Sequence, residues 1–366
     1  MDLTILNVYS AGFLAAFISA IIIALTQKLH GSLTLDSSEG VQKFHSTPTS
    51  RIGGIAILAG YITAWFFLEG EVQRLWGLVG LAGIPALAFG LGEDISGKVG
   101  VRARLMASFL AGLIFSLSTG YTITSLQLPG LDWLLTFSLF SLAFSAFAIG
   151  GVTNAINMID GFHGLASGTV ILVLAAIALA ASRVGDSVLV AFSMSMATVV
   201  LGFFVVNFPF GKIFFGDAGA YFCGFVVAVL AVMLPARNPE ISPWVSLLIL
   251  GYPVTEAMVS IVRRVREKGH HPGAPDSAHL HHVIYKSWAT MIANKLAWAG
   301  SANPLASVLT LSLPIFTLIA VGFVSLQMLD SVLMLGATIA IYIIIYRVLA
   351  PRGVKDTAPT TPANQK

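Results

Sequence analysis

The chemically capable side chains of this sequence lie in five short polar segments, and two of these segments are acidic. Glu93 and Asp94 are adjacent in "GLGEDISGK", and Asp217 stands between small residues in "FFGDAGAY". Adjacent carboxylates repel each other unless a cation lies near, so the pair suits a hard divalent ion or is a solvated pair that caps a helix. Asp217 opens a predicted helix, and it suits phosphate or metal–phosphate binding or is a plain N-cap.

A third segment, "NAINMIDGFHGLASG", spaces its polar side chains three residues apart, at Asn154, Asn157, Asp160 and His163. Such spacing keeps side chains on one slowly drifting face of a helix. The glycines between them allow a ligand or another backbone to approach closely. A polar turn between two membrane spans is the alternative, but two amides and a carboxylate at membrane depth are costly without partners.

The segment "DSAHLHHVIY" places His279, His281 and His282 within four positions, with Asp276 ahead of them. A metal site, a phosphate site and a pH-sensitive loop are the candidate interpretations. Zinc requires ligands that converge tetrahedrally, which these three side chains achieve only in a loop. The basic residues nearby favour phosphate oxygens, and they are Arg263, Arg264, Arg266 and Lys268.

A fifth segment, "KFHSTPTSRIGG", carries Lys43, His45 and Arg51. In the segment that contains Asp217, Asn207 lies ten residues ahead of it, with Phe214 and Phe215 between them. These rings are able to stack on a planar base, although packing in an apolar core is the alternative. The five segments together predict a magnesium-dependent site for a phosphorylated, nucleotide-like substrate.

The elements that must position these side chains are apolar. The 366 residues are 56% hydrophobic and only 10% charged, with a mean hydropathy of +0.87, whereas a soluble domain has about 25% charged residues. Runs of roughly 20 apolar residues are typical of membrane helices. Eleven such runs are predicted, at about 4–26, 52–68, 75–92, 105–120, 133–152, 165–182, 187–206, 220–235, 243–262, 304–325 and 331–349.

The positions of the basic residues predict the orientation of these spans. With the N-terminus outside, seventeen of the twenty Lys and Arg residues fall on the inside, which predicts an N-out, C-in topology. This bias explains the net charge of +3 without a nucleic-acid partner. All five polar segments then face the cytosol. Residues 1–350 are predicted to form one integral membrane domain, and 351–366 a disordered cytosolic tail.

In their order along the chain, these segments resemble the motifs of the polyprenyl-phosphate N-acetylhexosamine-1-phosphate transferases. That family, within glycosyltransferase family 4, includes enzymes that initiate O-antigen and teichoic-acid linkage units, and it includes phospho-MurNAc-pentapeptide translocase. The resemblance covers about residues 36–300, and the "HLHH" form resembles the O-antigen and teichoic-acid branch. The matching stretches are Lys43 to Gly54, Glu93-Asp94, Asn154 to Leu165, Asn207 to Ala220 and Asp276 to His282.

The resemblance implies an all-α polytopic membrane fold with an active site in a cytosolic-facing groove. It implies transfer of HexNAc-1-phosphate, with GlcNAc-1-phosphate as the first choice, from a UDP-HexNAc to undecaprenyl phosphate. UMP leaves, and the product begins a cell-surface polysaccharide in the bacterial inner membrane. Mg²⁺ is the implied cofactor, with Mn²⁺ as an alternative. The sequence leaves the choice between a monomer and a homodimer open.

The resemblance also implies roles for individual residues. Asp217 is expected to hold Mg²⁺, and Asp94 is expected near the lipid phosphate. The catalytic candidates are Asp94, Asp160, Asp217 and His279. The substrate-binding candidates are Lys43, His45, Glu93, Arg104, Asn154, Asn157, His163, Asn207, Phe214, His281 and His282.

Three positions depart from the family pattern. Glu93 replaces the first Asp of an acidic pair and lengthens the arm, His163 replaces an Asp of "DGxDG", and Pro48 is displaced by two places. Two other classes of protein are alternatives to the transferase, a secondary transporter and a membrane scaffold. A secondary transporter of an anionic metabolite requires charged residues near the bilayer midplane. A scaffold with a basic loop for acidic lipid does not require three aspartates on one side.

Overall fold

The computed structural model describes residues 3–36, 49–266, 278–296 and 301–350, which are almost entirely helical. The first half contains α1 (Leu3–Leu25), α2 (Gln27–Thr34), α3 (Gly53–Trp65), α4 (Gly70–Ala82), α5 (Ile84–Ser96), α6 (Val101–Thr119), α7 (Pro129–Leu135), α8 (Ser138–Met158) and α9 (Leu165–Arg183). The second half contains α10 (Ser187–Asn207), α11 (Gly216–Arg237), α12 (Pro243–Ile249), α13 (Gly251–Arg266), α14 (Leu280–Ile284), a π-helical turn (Tyr285–Ala289), α15 (Thr290–Lys295), α16 (Ala302–Thr310), α17 (Ser312–Phe323) and α18 (Met328–Leu349). Two short strands, β1 (Leu35–Asp36) and β2 (Thr49–Ser50), pair antiparallel.

Within the described residues, eight helices are long and apolar enough to cross a membrane, counting α16 and α17 as one. The number is ten if each of two bent pairs is one span, namely α4 with α5 at 48° and α12 with α13 at 77°. The shorter helix α3 is also apolar. Each predicted apolar run coincides with one of these helices or pairs. The prediction of an all-α polytopic membrane protein is confirmed in this form, and the count of eleven spans and their orientation stay predictions.

Helix α11 is the centre of the bundle. Every residue from Ala218 to Leu234 is buried, and its sequence is apolar on all sides, as expected for a helix that has no lipid-facing side. Helices α3, α5, α8, α9 and α12 pack around it. The polar first turn of α11 therefore lies at one end of the bundle with several other helix ends beside it, and this end is called the polar end below.

Two glycines allow α3 and α5 to approach the first turn of α11 closely. A methyl group added at Gly90 would lie 2.7 Å from the carbonyl oxygen of Asp217, and one added at Gly54 would lie 2.5 Å from Cβ of Ala218. Small residues permit such close backbone contact between membrane helices, where van der Waals packing drives association. These contacts bring the C-terminal end of α5 and the N-terminal end of α3 to the polar end.

A partly buried ion network joins loops at the opposite end of the bundle. Arg237 donates hydrogen bonds to Asp186 at 2.8 Å, to Glu71 at 2.8 Å and to the hydroxyl of Tyr121 at 2.8 Å. Burial opposes the ionisation of Asp186, but the hydrogen bonds from Arg237, Leu189 and Asn238 hold the pKa of that carboxyl below its ordinary value. These charged groups satisfy one another and link the ends of α4, α6, α9 and α11.

Replacement of Gly90 by Ala is expected to destabilise the protein by about 1–3 kcal/mol, because the added methyl group overlaps the backbone of α11. Thermal unfolding of the purified protein in detergent measures the effect. The control is Gly151→Ala in α8, where an added methyl group meets no atom within 4 Å. An unchanged midpoint for Gly90→Ala would contradict the close packing of α5 on α11.

Candidate active site

Two carboxylates hold the first turn of α11. Asp94, at the end of α5, is buried and accepts the backbone N–H groups of Asp217 and Ala218, each at 2.9 Å. Asp160, in the turn after α8, accepts the backbone N–H of Gly216. The first N–H groups of a helix have no partner inside the helix, and negative charge is favoured beside them. Carboxylates from two other segments therefore satisfy three consecutive N–H groups at the start of α11.

The backbone around Gly216 makes this arrangement possible. Gly216 has a φ of +72°, in the left-handed region that favours glycine, and a side chain there would overlap the carbonyl oxygen of Arg51. Arg51 donates in turn to the carbonyl oxygens of Glu93 and Asp94, both at 3.1 Å. The segment that contains Arg51 thus fixes the end of α5 beside the start of α11. Arg51 falls in the stretch from Lys43 to Gly54 that resembles a family motif, but the sequence alone predicted no contact of Arg51 with α5.

Asp217 is held by its side chain as well as its backbone. Its carboxylate forms an ion pair with Arg104 and accepts a hydrogen bond from Nδ2 of Asn157 at 2.8 Å. The Asp217 side chain is 21% exposed, so solvent reaches it. Arg104 also lies 5.7 Å above the ring of Tyr221, whose hydroxyl donates to Asn154 at 3.3 Å. Four candidates, Arg104, Asn154, Asn157 and Asp217, therefore lie together.

Negative charge exceeds positive charge around this turn. Asp94, Asp160, Asp217 and Glu93 gather there, and among the described residues Arg51 and Arg104 are the cations bonded to them or to their backbone, so the fully ionised group carries about two negative charges. Burial raises the pKa of Asp160 to about 7, although the N–H of Gly216 opposes the shift. Glu93 accepts the N–H of Val99 at 2.7 Å and so faces the loop after α5. Asp217, whose side chain is partly exposed at the first turn of α11, is the candidate in this group to hold a divalent cation.

Asn207 fixes the loop between α10 and α11. Its Oδ1 accepts the N–H of Gly164 at 2.6 Å, and its Nδ2 donates to the carbonyl oxygen of Ile213 at 2.7 Å. The ring of His163 stacks on Phe214 with centroids 5.8 Å apart, and its Nδ1 lies 3.0 Å from the carbonyl oxygen of Pro209. Backbone groups thus occupy both ends of the Asn207 amide. A direct contact of these three residues with a nucleotide stays a prediction.

The three histidines form one cluster against the turn that carries Asp160. The rings of His281 and His282 are 4.4 Å apart, and His279 stacks on His281 at 5.4 Å. Phe162 packs on His281 at 5.3 Å, and a methyl group added at Gly161 would lie 3.1 Å from Nε2 of His281. Residues that are more than a hundred positions apart in the sequence therefore share one site.

The histidine cluster does not have the form of a zinc site. In the part of the chain that the structure describes, no group of three or more His, Cys, Asp or Glu side chains is arranged to hold a metal ion. Burial, followed by the neighbouring His282 and His279, lowers the pKa of His281 well below its ordinary value, so this ring is neutral.

The basic cluster beside the histidines is partly structural. Arg263 donates to the carbonyl oxygen of Ala278 at 2.6 Å and to the hydroxyl of Tyr346 at 3.0 Å, so it supports the backbone ahead of His279. Because its guanidinium already has these partners, Arg263 supports a phosphate site less strongly than the sequence alone indicates.

Several candidates lie outside the described residues, namely Lys43, His45, Lys268 and Asp276.

Sequence analysis missed Glu256, the partner of His279. Its Oε1 lies 2.9 Å from Nδ1 of His279, and the residue is fully buried. A signal was present, because Glu256 is the one acidic residue inside the eleven predicted apolar runs. An ionisable residue at membrane depth marks a functional or tightly paired group, and this rule would have selected it.

The fold and the site define a polytopic helical membrane protein with carboxylates, amides and histidines gathered at one end of its bundle. Residues 76–235 match the model of glycosyl transferase family 4. The matched range contains Glu93, Asp94, Asp160 and Asp217, which surround the first turn of α11.

Curated relatives carry more specific names. The chain is 28% identical over 246 residues to a probable undecaprenyl-phosphate N-acetylglucosaminyl 1-phosphate transferase of Bacillus subtilis (strain 168), with 66% of this chain and 67% of the relative covered. It is 26% identical over 274 residues to the undecaprenyl-phosphate alpha-N-acetylglucosaminyl 1-phosphate transferase of Escherichia coli (strain K12), with 72% of each chain covered. It is also 26% identical over 277 residues to the protein of the same name from Salmonella typhimurium (strain LT2), with 74% of this chain and 75% of the relative covered.

Replacement of Asp160 by Asn is expected to flatten the pH dependence of stability in metal-free protein. The pKa of Asp160 is about 7 in the folded protein and about 3.9 in the unfolded chain, so folding favours the protonated carboxyl. That stabilisation is complete below about pH 4 and is lost as the pH rises through about 7. Thermal unfolding in EDTA from pH 5 to 8 should show a steeper decline for the natural protein than for Asp160→Asn. Parallel curves would contradict a raised pKa.

Proposed function

We propose that the protein transfers GlcNAc-1-phosphate from UDP-GlcNAc to undecaprenyl phosphate and releases UMP. The observation that carries the proposal is the convergence of Asp94, Asp160 and Asp217 on the first turn of a buried helix, in a chain whose relatives bear that activity in their names. Phosphoryl transfer requires positioning and charge neutralisation more than covalent help from the protein. A rigid, charged helix start meets both requirements.

The proposed orientation places the polar end at the cytosolic face of a bacterial inner membrane. Eleven spans with the N-terminus outside agree with the excess of Lys and Arg in the segments at this end. The bent pairs α4–α5 and α12–α13 and the short helix α3 would account for three of the spans. UDP-sugars are water-soluble and undecaprenyl phosphate is held in the bilayer, so a site at this boundary gives access to both.

Mg²⁺ is the proposed cofactor, with Mn²⁺ as an alternative, and the residues present suit it. Mg²⁺ binds through one or two carboxylates and leaves its other positions to water and substrate phosphates. Asp217 would hold it, with Asn157 and Asp160 beside it, because Asp217 is the accessible carboxylate of a group with excess negative charge. Bound there, Mg²⁺ would neutralise the diphosphate and stabilise departing UMP.

The remaining polar groups are assigned to the substrates. Arg104 forms an ion pair with Asp217. When substrate binds, its guanidinium would donate hydrogen bonds to the diphosphate instead. The histidine cluster lies against the turn that carries Asp160, through Gly161 and Phe162, and would contact the sugar diphosphate. The His163–Phe214 stack offers a flat surface for the uracil ring.

An apolar cavity suits the tail of the lipid substrate. It has a volume of about 550 Å³ and lies between α8, the C-terminal half of α11, α12 and the segment 122–128, toward the end of the bundle opposite the polar end. Val152, Ala228 and Leu250 are among its lining residues, and Val152 is two positions before Asn154 of the polar site. A polyprenyl chain that extends from the polar end along α8 and α11 would bury the far part of its apolar surface in this cavity.

The chemistry is proposed to be a single displacement. An oxygen of undecaprenyl phosphate attacks the phosphorus that bears GlcNAc, and the bond from that phosphorus to the bridging oxygen breaks, so UMP leaves with the oxygen. A phosphate monoester has a second pKa of about 6, so much of it is a dianion at neutral pH and needs little activation. Asp94 is poorly suited to be a nucleophile because it is 2% exposed and both its oxygens accept N–H groups.

Purified protein given undecaprenyl phosphate, Mg²⁺ and a panel of UDP-sugars should form undecaprenyl-diphosphate-GlcNAc and UMP, as measured by mass spectrometry. Asp217→Asn should reduce turnover by at least about 100-fold, because it removes charge at the site of transfer. The matched control is Asp330→Asn at the opposite end, where Asp330 accepts a hydrogen bond from Ser325. Full activity of Asp217→Asn, or no lipid product from any UDP-sugar, would refute the proposal.

The single-displacement mechanism predicts no partial reaction without lipid. Labelled UMP, UDP-GlcNAc and Mg²⁺ incubated with lipid-free protein should show no exchange of label into UDP-GlcNAc, since no covalent sugar-phosphate intermediate forms. Rapid exchange that is abolished by Asp94→Asn would establish a covalent route through Asp94 instead.

A further inference from the structure

Among the described residues, the most deeply buried carboxylate outside the aspartate group belongs to Glu256 on α13. The residue has no solvent exposure and lies within the segment that follows the bend between α12 and α13. A buried carboxylate is costly unless its oxygens receive hydrogen bonds or an opposite charge. The family motifs named above do not include this position, so its partners indicate what it does.

Each oxygen of Glu256 has defined partners. Oε1 lies 2.9 Å from Nδ1 of His279 and 3.5 Å from Oγ of Ser260. Oε2 accepts the hydroxyl of Tyr342 at 3.0 Å and the backbone N–H of Leu280 at 3.2 Å. Three elements therefore converge on one carboxylate, and two of its partners are the first histidine of the cluster and the residue that follows it.

These contacts determine which nitrogen of His279 carries a proton. Nδ1 of His279 lies 2.9 Å from Oε1 of Glu256 and 3.1 Å from Oγ of Ser260. A carboxylate only accepts hydrogen bonds, so the shorter contact, with Glu256, requires a hydrogen on Nδ1. The other nitrogen, Nε2, is on the far edge of the ring and remains for another partner. The ring lies parallel to His281, at an interplanar angle of 3°, which further restricts its rotation.

The final span, α18, supports this arrangement with two tyrosines that are one helical turn apart. Tyr342 donates to Glu256, and Tyr346 donates to the carbonyl oxygen of Ala278, the residue before His279, at 3.0 Å. Arg263 donates to the same carbonyl oxygen. The backbone and the side chain of His279 are thus fixed from α13 and α18 together.

We propose that Glu256 is a positioning residue, which holds the proton of His279 on Nδ1 and presents Nε2 to the sugar diphosphate. The inference rests on the proposed function for the identity of that substrate, and on the contacts of Glu256 alone for the state of the ring. Glu256 also balances the positive charge that His279 carries when Nε2 donates to a phosphate oxygen. His281 has no such role, because its Nδ1 has no hydrogen-bond partner among the described residues.

The informative variant is Glu256→Gln. Leu280 N–H and the Tyr342 hydroxyl are expected to keep the single oxygen of Gln on their side, so its NH₂ group faces His279. Nδ1 must then accept a hydrogen bond, and the proton moves to Nε2. The ring keeps its place and Nε2 still carries a hydrogen, but without a carboxylate at Nδ1 the ring stays neutral. Its hydrogen bond to the phosphate oxygen loses charge assistance, so kcat should fall roughly 10- to 10²-fold.

Tyr342→Phe is the matched control, because it removes one hydrogen bond to the same carboxylate and leaves the contact with His279. It should retain activity within about fivefold. The state of His279 is read independently of turnover by ¹⁵N NMR of histidine-labelled protein, with the His279 signals assigned by their loss in His279→Asn. Nδ1 should carry a proton in the natural protein and in Tyr342→Phe, and should lose it in Glu256→Gln.

The outcomes separate this inference from the proposed function. An unprotonated Nδ1 in the natural protein would overturn the role of Glu256 even if Glu256→Gln does not fold. Equal losses of kcat in Glu256→Gln and Tyr342→Phe would also overturn it, since they would indicate support of the fold only. Absence of any lipid product from the natural protein, with Nδ1 protonated as expected, would refute the transferase and leave the positioning of His279 intact.

Discussion

The hydrogen bonds from the first turn of α11 to Asp94 and Asp160 are the interaction on which the rest of the site depends. Helix α11 is buried on all sides, so its first N–H groups cannot rely on bulk water. A charge-assisted hydrogen bond contributes about 1.5–3 kcal/mol, and loss of an acceptor leaves a buried donor unsatisfied. The acceptors come from α5 and from the turn after α8. The hydrogen bonds that satisfy the first N–H groups of α11 therefore bring both segments close to Asp217.

The same arrangement creates the electrostatic conditions for the proposed reaction. Carboxylates that satisfy a helix start also place excess negative charge beside it, and Arg51 and Arg104 balance only part of this charge. A divalent cation is the natural complement of that charge, and two anionic substrates require the same complement. The carboxylates around the first turn of α11 are therefore the reason that we propose one site for the metal, the diphosphate and the lipid phosphate.

Sequence patterns predicted the helices well because apolar runs of membrane length have few other interpretations. They also selected the acidic and histidine segments that the structure brings together. They did not predict that Asp94 caps α11, because the capped residue Asp217 is 123 positions away and such a cap has no local signature. The pairing of Glu256 with His279 and of Arg263 with Ala278 is non-local in the same way. Local spacing identifies which groups gather, and tertiary packing decides which of them are free for chemistry.

The central claim is that the accessible carboxylate at the start of α11 holds the metal on which the UDP-sugar diphosphate binds. Mn²⁺ in place of Mg²⁺ allows a direct measurement by electron–nuclear double resonance. Addition of UDP-GlcNAc should produce a ³¹P coupling typical of direct metal–phosphate coordination, and Asp217→Ala should lose both tight Mn²⁺ binding and this coupling while its thermal unfolding stays close to that of the natural protein. Undiminished Mn²⁺ binding and an unchanged ³¹P coupling in Asp217→Ala would contradict the account.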